Sequence, residues 1–120
     1  MTADTGTATA GSGGRLADMI VAFSVAPAIV GDESAEMSDA VAEAVRVVRA
    51  SGLPNETNAM FTLLEGEWDE VFAVIKEATD AVRKVSPRTS LVIKADLREG
   101  VTGQITQKVE SVNRYLEENQ

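Results

Sequence analysis

The segment Met19-Ile-Val-Ala-Phe-Ser-Val-Ala26, followed by Pro27, decides how this protein must be arranged. Its β-branched and aromatic residues predict a strand that ends at the proline. Successive side chains of a strand point to opposite faces. Both faces are mostly apolar here, with Val21, Phe23 and Val25 on one and Ile20, Ala22, Ser24 and Ala26 on the other. Each face of this strand therefore needs a covering layer.

Six further elements follow, in the order α-β-β-α-β-α. They are a helix from an N-cap at Ser38 to Gly52, a weak strand over 55–60 with a turn near Asn58-Ala59, a strand over 61–65, a helix from Asp69 to Ser86, a strand over 89–96, and a helix through Ile105, Val109, Val112 and Leu116. The first six elements form two β-α-β units. This order predicts an α+β, ferredoxin-like βαββαβ sandwich with a four-stranded antiparallel sheet and an extra C-terminal helix.

Right-handed crossovers place both crossover helices on one face of such a sheet. The other face stays open, although the first strand contributes apolar residues to it. An apolar face of this kind is buried against a partner. We therefore expect a homo-oligomer, a dimer or a dimer of dimers, in which a second copy covers the open face.

The 120-residue length favours one domain, preceded by a tail. Residues 1–18 are rich in Thr, Ala, Gly and Ser, which predicts disorder, and residues 19–120 form the expected domain. The apolar run 19–30 is shorter than the about 20 residues that span a bilayer. No basic start resembling a secretory signal precedes it. We expect a cytoplasmic protein that does not enter a membrane.

Composition excludes several classes of function. The protein has no Cys and no His, which removes disulfides, thiolate nucleophiles, imidazole bases and most transition-metal sites. The formal charge of −8 argues against binding to nucleic acid. The acidic run 65–70 lacks the spacing of a calcium loop and suits the start of a helix. We expect no metal site, no cofactor and no phosphate-binding loop.

Four polar residues interrupt the apolar strands: Ser24, Thr62, Lys94 and Asp96. Lys94 and Asp96 share one sheet face, where they either line a polar pocket or form a surface ion pair. The two hydroxyls either bind a ligand or satisfy neighbouring backbone groups. The aromatic ring of Phe61 fits a flat heterocycle as well as it fits the core. These residues indicate a small-molecule pocket without identifying its ligand.

Several short motifs, in their order and spacing, resemble the small thiamine-binding proteins, single-domain relatives of the YkoF proteins that bind thiamine and hydroxymethylpyrimidine. The motifs are Met19–Pro27, Ser51-Gly52-Leu53, Asn58–Gly66, Asp69-Glu70-Val71, and Ile93-Lys94 with Asp96 and Arg98. The resemblance covers residues 19–118. Many members have Tyr in place of Ala40 and Asn55, Pro in place of Ala59, and Gly in place of Phe61.

The resemblance implies a ferredoxin-like fold, sheet-to-sheet dimers, and non-catalytic cytoplasmic binding of thiamine (vitamin B1) or its hydroxymethylpyrimidine moiety in a pocket between subunits. The ligand-binding residues that we expect from it are Ser24, Asn58, Met60, Phe61, Thr62, Lys94 and Asp96. Met60 or Phe61 would give apolar contact, and Asn58, Thr62 and Asp96 would give hydrogen bonds. Asp96 or Glu65 would balance the thiazolium charge.

Two other functions remain open from the residues. Small ferredoxin-like dimers host isomerases and monooxygenases, and fold alone does not exclude such an enzyme. Its acid or base would have to be Asp96, Glu65 or Lys94. The third interpretation is a purely regulatory interaction domain.

Overall fold

The computed structural model describes residues 17–29, 33–100 and 102–119. The elements that it describes are β1 (Ala17–Ile29), α1 (Glu33–Ala50), β2 (Asn55–Thr57), β3 (Thr62–Glu67), α2 (Trp68–Arg83), β4 (Arg88–Glu99) and α3 (Gln104–Glu118). The strands form one antiparallel sheet in the order β2-β3-β1-β4. The predicted ferredoxin-like α+β fold with an extra C-terminal helix is confirmed. The predicted tail lies outside the described residues, except that its last two residues open β1.

Two predicted boundaries in the first unit are wrong. β1 continues through Pro27, which pairs with Thr89 of β4, and its register shifts between Pro27 and Ile29. Proline is tolerated at edges and bulges, and β1 pairs with β3 only as far as Phe23. α1 begins at Glu33, so Ser38 lies inside the helix rather than capping it.

The later boundaries differ by a few residues. β2 is limited to Asn55–Thr57, β4 extends to Glu99, and α2 ends at Arg83. β3 continues through Gly66 to Glu67, beyond the predicted end at residue 65. A Cβ atom at Gly66 would lie 3.3 Å from Cγ2 of Val71 and 3.4 Å from the methyl groups of Leu53. Glycine therefore lets α2 and the segment before β2 pack closely on β3.

The core lies between the sheet and the two crossover helices. Its buried residues are Met19, Val21, Phe23, Ala40, Ala44, Val48, Leu64, Val71, Ile75, Ala78 and Val82. The acidic run before α2 serves the helix start, since Oε1 of Glu70 accepts a hydrogen bond from the Glu67 N–H at 3.3 Å. Trp68 is half exposed and stacks on Phe72, with ring centroids 4.8 Å apart.

Glu65 of β3 fastens α3 to the opposite face of the sheet. Its Oε2 accepts a hydrogen bond from the Gln104 N–H at 3.1 Å, and its Oε1 accepts one from the Ile105 N–H at 3.3 Å. The Glu65 residue is 2% exposed. Its carboxylate satisfies N–H groups that a helix leaves unpaired at its start, and it lies at the positive end of the helix dipole.

A second contact joins α3 to β4. The Lys108 ammonium donates a hydrogen bond to Asp96, and the pair is about half exposed. This hydrogen bond lowers the pKa of Asp96 below its usual range, and the positive charges of Lys108, Arg98 and Lys94 act in the same direction. Every residue from Thr106 to Asn119 is otherwise exposed. α3 is therefore held at its first turn.

We expect Glu65→Gln to lower the free energy of unfolding by about 1–3 kcal/mol, because one carboxylate oxygen that accepts an N–H is replaced by an amide group that donates. Urea denaturation would measure the change. The control is Glu56→Gln, an exposed position on β2, where we expect less than about 0.5 kcal/mol. Equal losses in both variants would contradict the role given to Glu65.

The side chain of Gln104 is a local weakness. The residue is 1% exposed, and neither Nε2 nor Oε1 has a hydrogen-bond partner among the described residues. Burying an unpaired amide costs about 1–3 kcal/mol on the evidence of protein mutants. We therefore expect Gln104→Met, which keeps the length and removes the polar atoms, to raise the melting temperature in a calorimetric scan. A clear decrease would show that the amide is satisfied in solution.

Candidate functional site

A cavity of about 250 Å³ lies where β1 continues past the end of β3, between α1 and the loop over residues 58–61. Its lining residues are Phe23, Ser24, Val25, Ala26, Val41, Ala44, Val45, Thr57, Asn58, Ala59, Met60, Phe61 and Thr62. The cavity thus draws on a strand segment, a helix face and a hairpin loop.

The strand wall follows from unequal pairing on the two sides of β1. Pairing with β3 stops at Phe23 opposite Thr62, whereas pairing with β4 continues to Ile29 opposite Arg88. Residues 24–26 thus have a strand partner on one side only among the described residues. In antiparallel sheets the backbone N–H and C=O groups of successive residues point alternately to the two sides. This segment therefore offers backbone donors and acceptors on the side vacated by β3.

The loop wall is fixed by Asn58. Its Oδ1 accepts hydrogen bonds from the N–H groups of Met60 at 2.8 Å and Phe61 at 2.9 Å, and its own N–H donates to the Phe61 carbonyl at 2.9 Å. Asparagine is favoured in turns because its side-chain oxygen can accept hydrogen bonds from nearby backbone N–H groups in this way. Because Oδ1 is used within the loop, Nδ2 is the polar group that Asn58 retains for a ligand. Met60 is 73% exposed at the rim, and Phe61 is half-buried.

The helix wall is apolar. Val41, Ala44 and Val45 recur at three- and four-residue spacing on α1, so they share one face. Ala44 is buried in the core, while Val41 stays 41% exposed. The four-residue spacing of Val41 and Val45 in the sequence indicates an apolar helix face and does not reveal their place in the cavity. Helical spacing is the same for core residues and for cavity-lining residues. These valines line a cavity only because β3 is shorter than β1 and leaves a gap beside them.

The cavity has polar groups but no ionisable side chain among its lining residues. The hydroxyls of Ser24 and Thr62 have no hydrogen-bond partner within the described part of the protein. The Thr62 side chain lies on the face of α1, in register with Phe23, whereas the Ser24 side chain alternates to the open face with Ala22. Thr62, the backbone of β1 and Nδ2 of Asn58 thus form a small set of neutral donors and acceptors beside an apolar wall. A lining of this composition is chemically suited to a flat, uncharged molecule with a polar edge.

The structure divides the predicted ligand-binding residues between two places. Ser24, Asn58, Met60, Phe61 and Thr62 line the cavity. Lys94 and Asp96 lie in β4 on the face of the sheet away from α1 and α2, opposite Ala22 and Ile20. Asp96 forms an ion pair with Lys108 rather than with Lys94. The role of all seven in ligand binding stays a prediction.

The described residues include no group of three or more His, Cys, Asp or Glu side chains placed to hold a metal ion. The helices described are all too short or too polar to cross a bilayer.

Solved structures share this fold. Protein MJ1052 of Methanocaldococcus jannaschii superposes with a TM-score of 0.69 at 30% sequence identity, covering 80% of this chain and 96% of that one. A domain from Bacillus cereus gives a TM-score of 0.64 at 31% identity, covering 72% and 83%. Protein TM0486 of Thermotoga maritima, at 23% identity and a TM-score of 0.63 over 82% and 98%, supports the fold alone.

Sequence relatives extend over the same region. The UPF0045 protein Mb1933 of Mycobacterium bovis is 56% identical over 99 residues, which cover 82% of this chain and 94% of that protein. The UPF0045 protein sll0230 of Synechocystis is 33% identical over 101 residues, covering 83% and 81%. The profile of the family described as "Thiamine-binding protein" matches residues 21–113. The resemblance predicted from the short motifs is confirmed, and this chain belongs to the thiamine-binding protein family.

Proposed function

We propose that this protein binds the hydroxymethylpyrimidine moiety of thiamine in the cavity beside residues 24–26 of β1, without catalysing a reaction. The observation that carries the proposal is the uncharged lining of that cavity, combined with an unpaired strand edge. Membership of the thiamine-binding family supports the choice of ligand class.

The chemistry of an aminopyrimidine suits these groups. The ring carries an amino donor and nitrogen acceptors on one edge of a flat apolar body. Backbone N–H and C=O groups of β1 can pair with that edge, and the hydroxyl of Thr62 and Nδ2 of Asn58 add donors or acceptors. Phe61 and Met60 offer apolar surface to the faces of the ring.

The cationic thiazolium ring of thiamine finds no counter-charge in this cavity. Glu65 is occupied by the N-terminus of α3, and Asp96 is paired with Lys108. These are the two carboxylates that the sequence suggested for the purpose. The volume of about 250 Å³ lies below the roughly 300–1,000 Å³ of pockets for drug-sized ligands. One neutral ring therefore suits the cavity better than the whole two-ring vitamin.

The lining also supports a binding role over an enzymatic one. An isomerase or monooxygenase-like reaction needs a group that moves a proton, and its candidates were Asp96, Glu65 and Lys94. None of the three lines the cavity. A function as a purely regulatory interaction domain would not account for a cavity lined by unpaired polar groups.

Two further features complete the proposal. We propose that the protein acts in the cytoplasm and that a second copy covers its open sheet face, as a dimer or a dimer of dimers. Support for self-association comes from Val92 of β4, which is 52% exposed on the open face, and from Leu91, Ile93 and Leu97, which are 37–50% exposed on the helix side of this edge strand. Exposed apolar surface of this kind marks an interaction site.

Isothermal titration calorimetry with hydroxymethylpyrimidine and with thiamine tests the ligand. We expect hydroxymethylpyrimidine to bind at least as tightly as thiamine, because the cavity gives the thiazolium no balancing charge. We also expect the affinity for the neutral ligand to be insensitive to salt. Thiamine binding ten or more times tighter, and weakening with salt, would contradict the neutral site. Absence of binding to both compounds would overturn the proposed function.

Two substitutions test the location of the ligand. Thr62→Val removes a hydroxyl with little change of shape, and we expect a loss of about 0.5–1.5 kcal/mol, or roughly 2- to 13-fold in affinity. Val41→Trp should block the cavity from the helix side and abolish measurable binding. Ala42→Trp is the matched control, since it adds the same ring at the neighbouring exposed position of α1, outside the lining. Unchanged affinity in both Thr62→Val and Val41→Trp would remove the ligand from this cavity.

A further inference from the structure

Two threonines face each other across the hairpin that borders the cavity. Thr57 of β2 is in register with Thr62 of β3, and Thr62 is in register with Phe23 of β1. Residues directly opposite each other in an antiparallel pair direct their side chains to the same face. Phe23 belongs to the core beneath α1 and α2, so both threonine side chains lie on that side of the sheet. Both threonines also line the cavity.

The hydrogen-bonding pattern of the hairpin brings these two side chains close together. The N–H of Asn58 donates a hydrogen bond to the carbonyl of Phe61. Hydrogen-bonded and non-hydrogen-bonded pairs alternate along an antiparallel ladder. Thr57 and Thr62 form the next pair along the ladder, which is therefore a non-hydrogen-bonded one. Side chains approach each other more closely in such a pair, where the Cα atoms are about 4.5 Å apart.

The spacing of the two hydroxyls suits a single ligand oxygen. Neither hydroxyl has a hydrogen-bond partner among the described residues. Directly opposite residues have Cβ atoms about 4.5–5.5 Å apart. Because O–H···O hydrogen bonds are about 2.7–2.8 Å long, one oxygen atom can bridge two groups separated by that distance. Thr57 is exposed and Thr62 is half-buried, so such an oxygen would lie near the mouth of the cavity.

No positive group accompanies the two threonines. The described lining of the cavity contains neither Lys nor Arg, and the first residues of α1 are not part of it. Arg46 follows Val45 of the lining, but it is exposed and forms an ion pair with Glu43 at 3.2 Å. Proteins bind phosphate groups with Arg and Lys side chains or with helix N-termini. The surroundings of the threonines therefore suit a neutral oxygen and not a phosphate.

We propose that Thr57 and Thr62 together bind the hydroxyl of the hydroxymethyl group, so that the protein selects the free pyrimidine alcohol over its phosphate ester and over thiamine. This inference rests on the proposed function and names the chemical form of its ligand. It also adds Thr57, which the sequence pattern did not single out. The amino and hydroxymethyl groups occupy neighbouring carbons of the pyrimidine. Thr62 lies beside Phe23, next to residues 24–26, so one wall can pair with the amino edge while the threonines bind the adjacent hydroxyl.

The substituent on one carbon distinguishes the three compounds. This carbon carries a hydroxyl in the free alcohol, an ester oxygen with a negatively charged phosphoryl group in the phosphate ester, and the positively charged thiazolium nitrogen in thiamine. Only the hydroxyl can donate a hydrogen bond to one threonine and accept one from the other. The other two substituents bring a charge to a cavity whose described lining has no ionisable side chain. The threonine pair thus favours the alcohol through hydrogen bonding and through charge.

Calorimetric titration of the wild type with three compounds tests the selectivity. They are hydroxymethylpyrimidine, the analogue in which a methyl group replaces the hydroxymethyl group, and the phosphate ester of hydroxymethylpyrimidine. We expect the methyl analogue to bind at least about 5-fold more weakly than the alcohol, because it loses the hydrogen bonds to the threonines. We expect the phosphate ester to bind at least about 10-fold more weakly. A methyl analogue or a phosphate ester that binds as tightly as the alcohol would overturn the proposal.

The variant Thr57→Val tests the new residue, because it removes the hydroxyl and keeps the shape of the side chain. We expect it to weaken binding of the alcohol by about 2- to 13-fold and to leave binding of the methyl analogue unchanged. Thr102→Val is the matched control, since it makes the same change at an exposed threonine outside the lining. Equal weakening of both ligands in Thr57→Val would indicate an effect on the shape of the cavity and would overturn the role of the hydroxyl. Unchanged affinity for the alcohol would overturn it too.

The failure of this inference differs from the failure of the proposed function. A wild type that binds neither the alcohol nor its methyl analogue would refute the binding function, and the threonine pair with it. A wild type that binds both with equal affinity would leave the binding function intact and refute the threonine pair alone. Both results come from the unmodified protein, so they do not depend on how any variant folds.

Discussion

The hydrogen bonds from the first turn of α3 to Glu65 fix the position of this helix on the sheet face that α1 and α2 leave uncovered. A carboxylate on a strand is costly to bury, and here it is stabilised by two backbone N–H groups at the positive end of a helix. Glu65 lies on the face that α1 and α2 do not cover. The contact thus converts a charged position in the sheet into the attachment point of a third helix.

The second constraint is the difference in length between the strands. β1 and β4 pair along nearly their whole length, while β3 leaves β1 at Phe23. Beyond Phe23, α1 covers one face of β1, but β3 no longer pairs with its edge. A cavity therefore forms between α1, this part of β1 and the loop held by Asn58.

Local patterns therefore predicted the fold better than the site. The element order and the helical spacing in α1 and α2 were sufficient for the topology, because each depends on residues close in sequence. The β1 boundary at Pro27 was wrong because proline is excluded only where a ladder N–H is needed, and that depends on which strands are neighbours. Glu65 was interpreted as part of a helix-start cluster, since nothing local connects it with a helix that begins 39 residues later.

In the sequence, polar residues within apolar strands look alike, although in the structure they belong to two different surfaces, the cavity and the open face of the sheet. Thr62 lies at the cavity on the side of α1, in register with Phe23. Lys94 and Asp96 lie on the open face, where charges stay partly hydrated and meet other charges. The strand pattern alone does not separate these cases, because alternation specifies a face only relative to its neighbours. Burial does separate them, because leaving a hydroxyl or an amide in a cavity between helix and sheet costs less free energy than leaving an unpaired charge there. The same rule that keeps the core apolar thus leaves the cavity without ionisable side chains and keeps the charged residues of β4 on the open face.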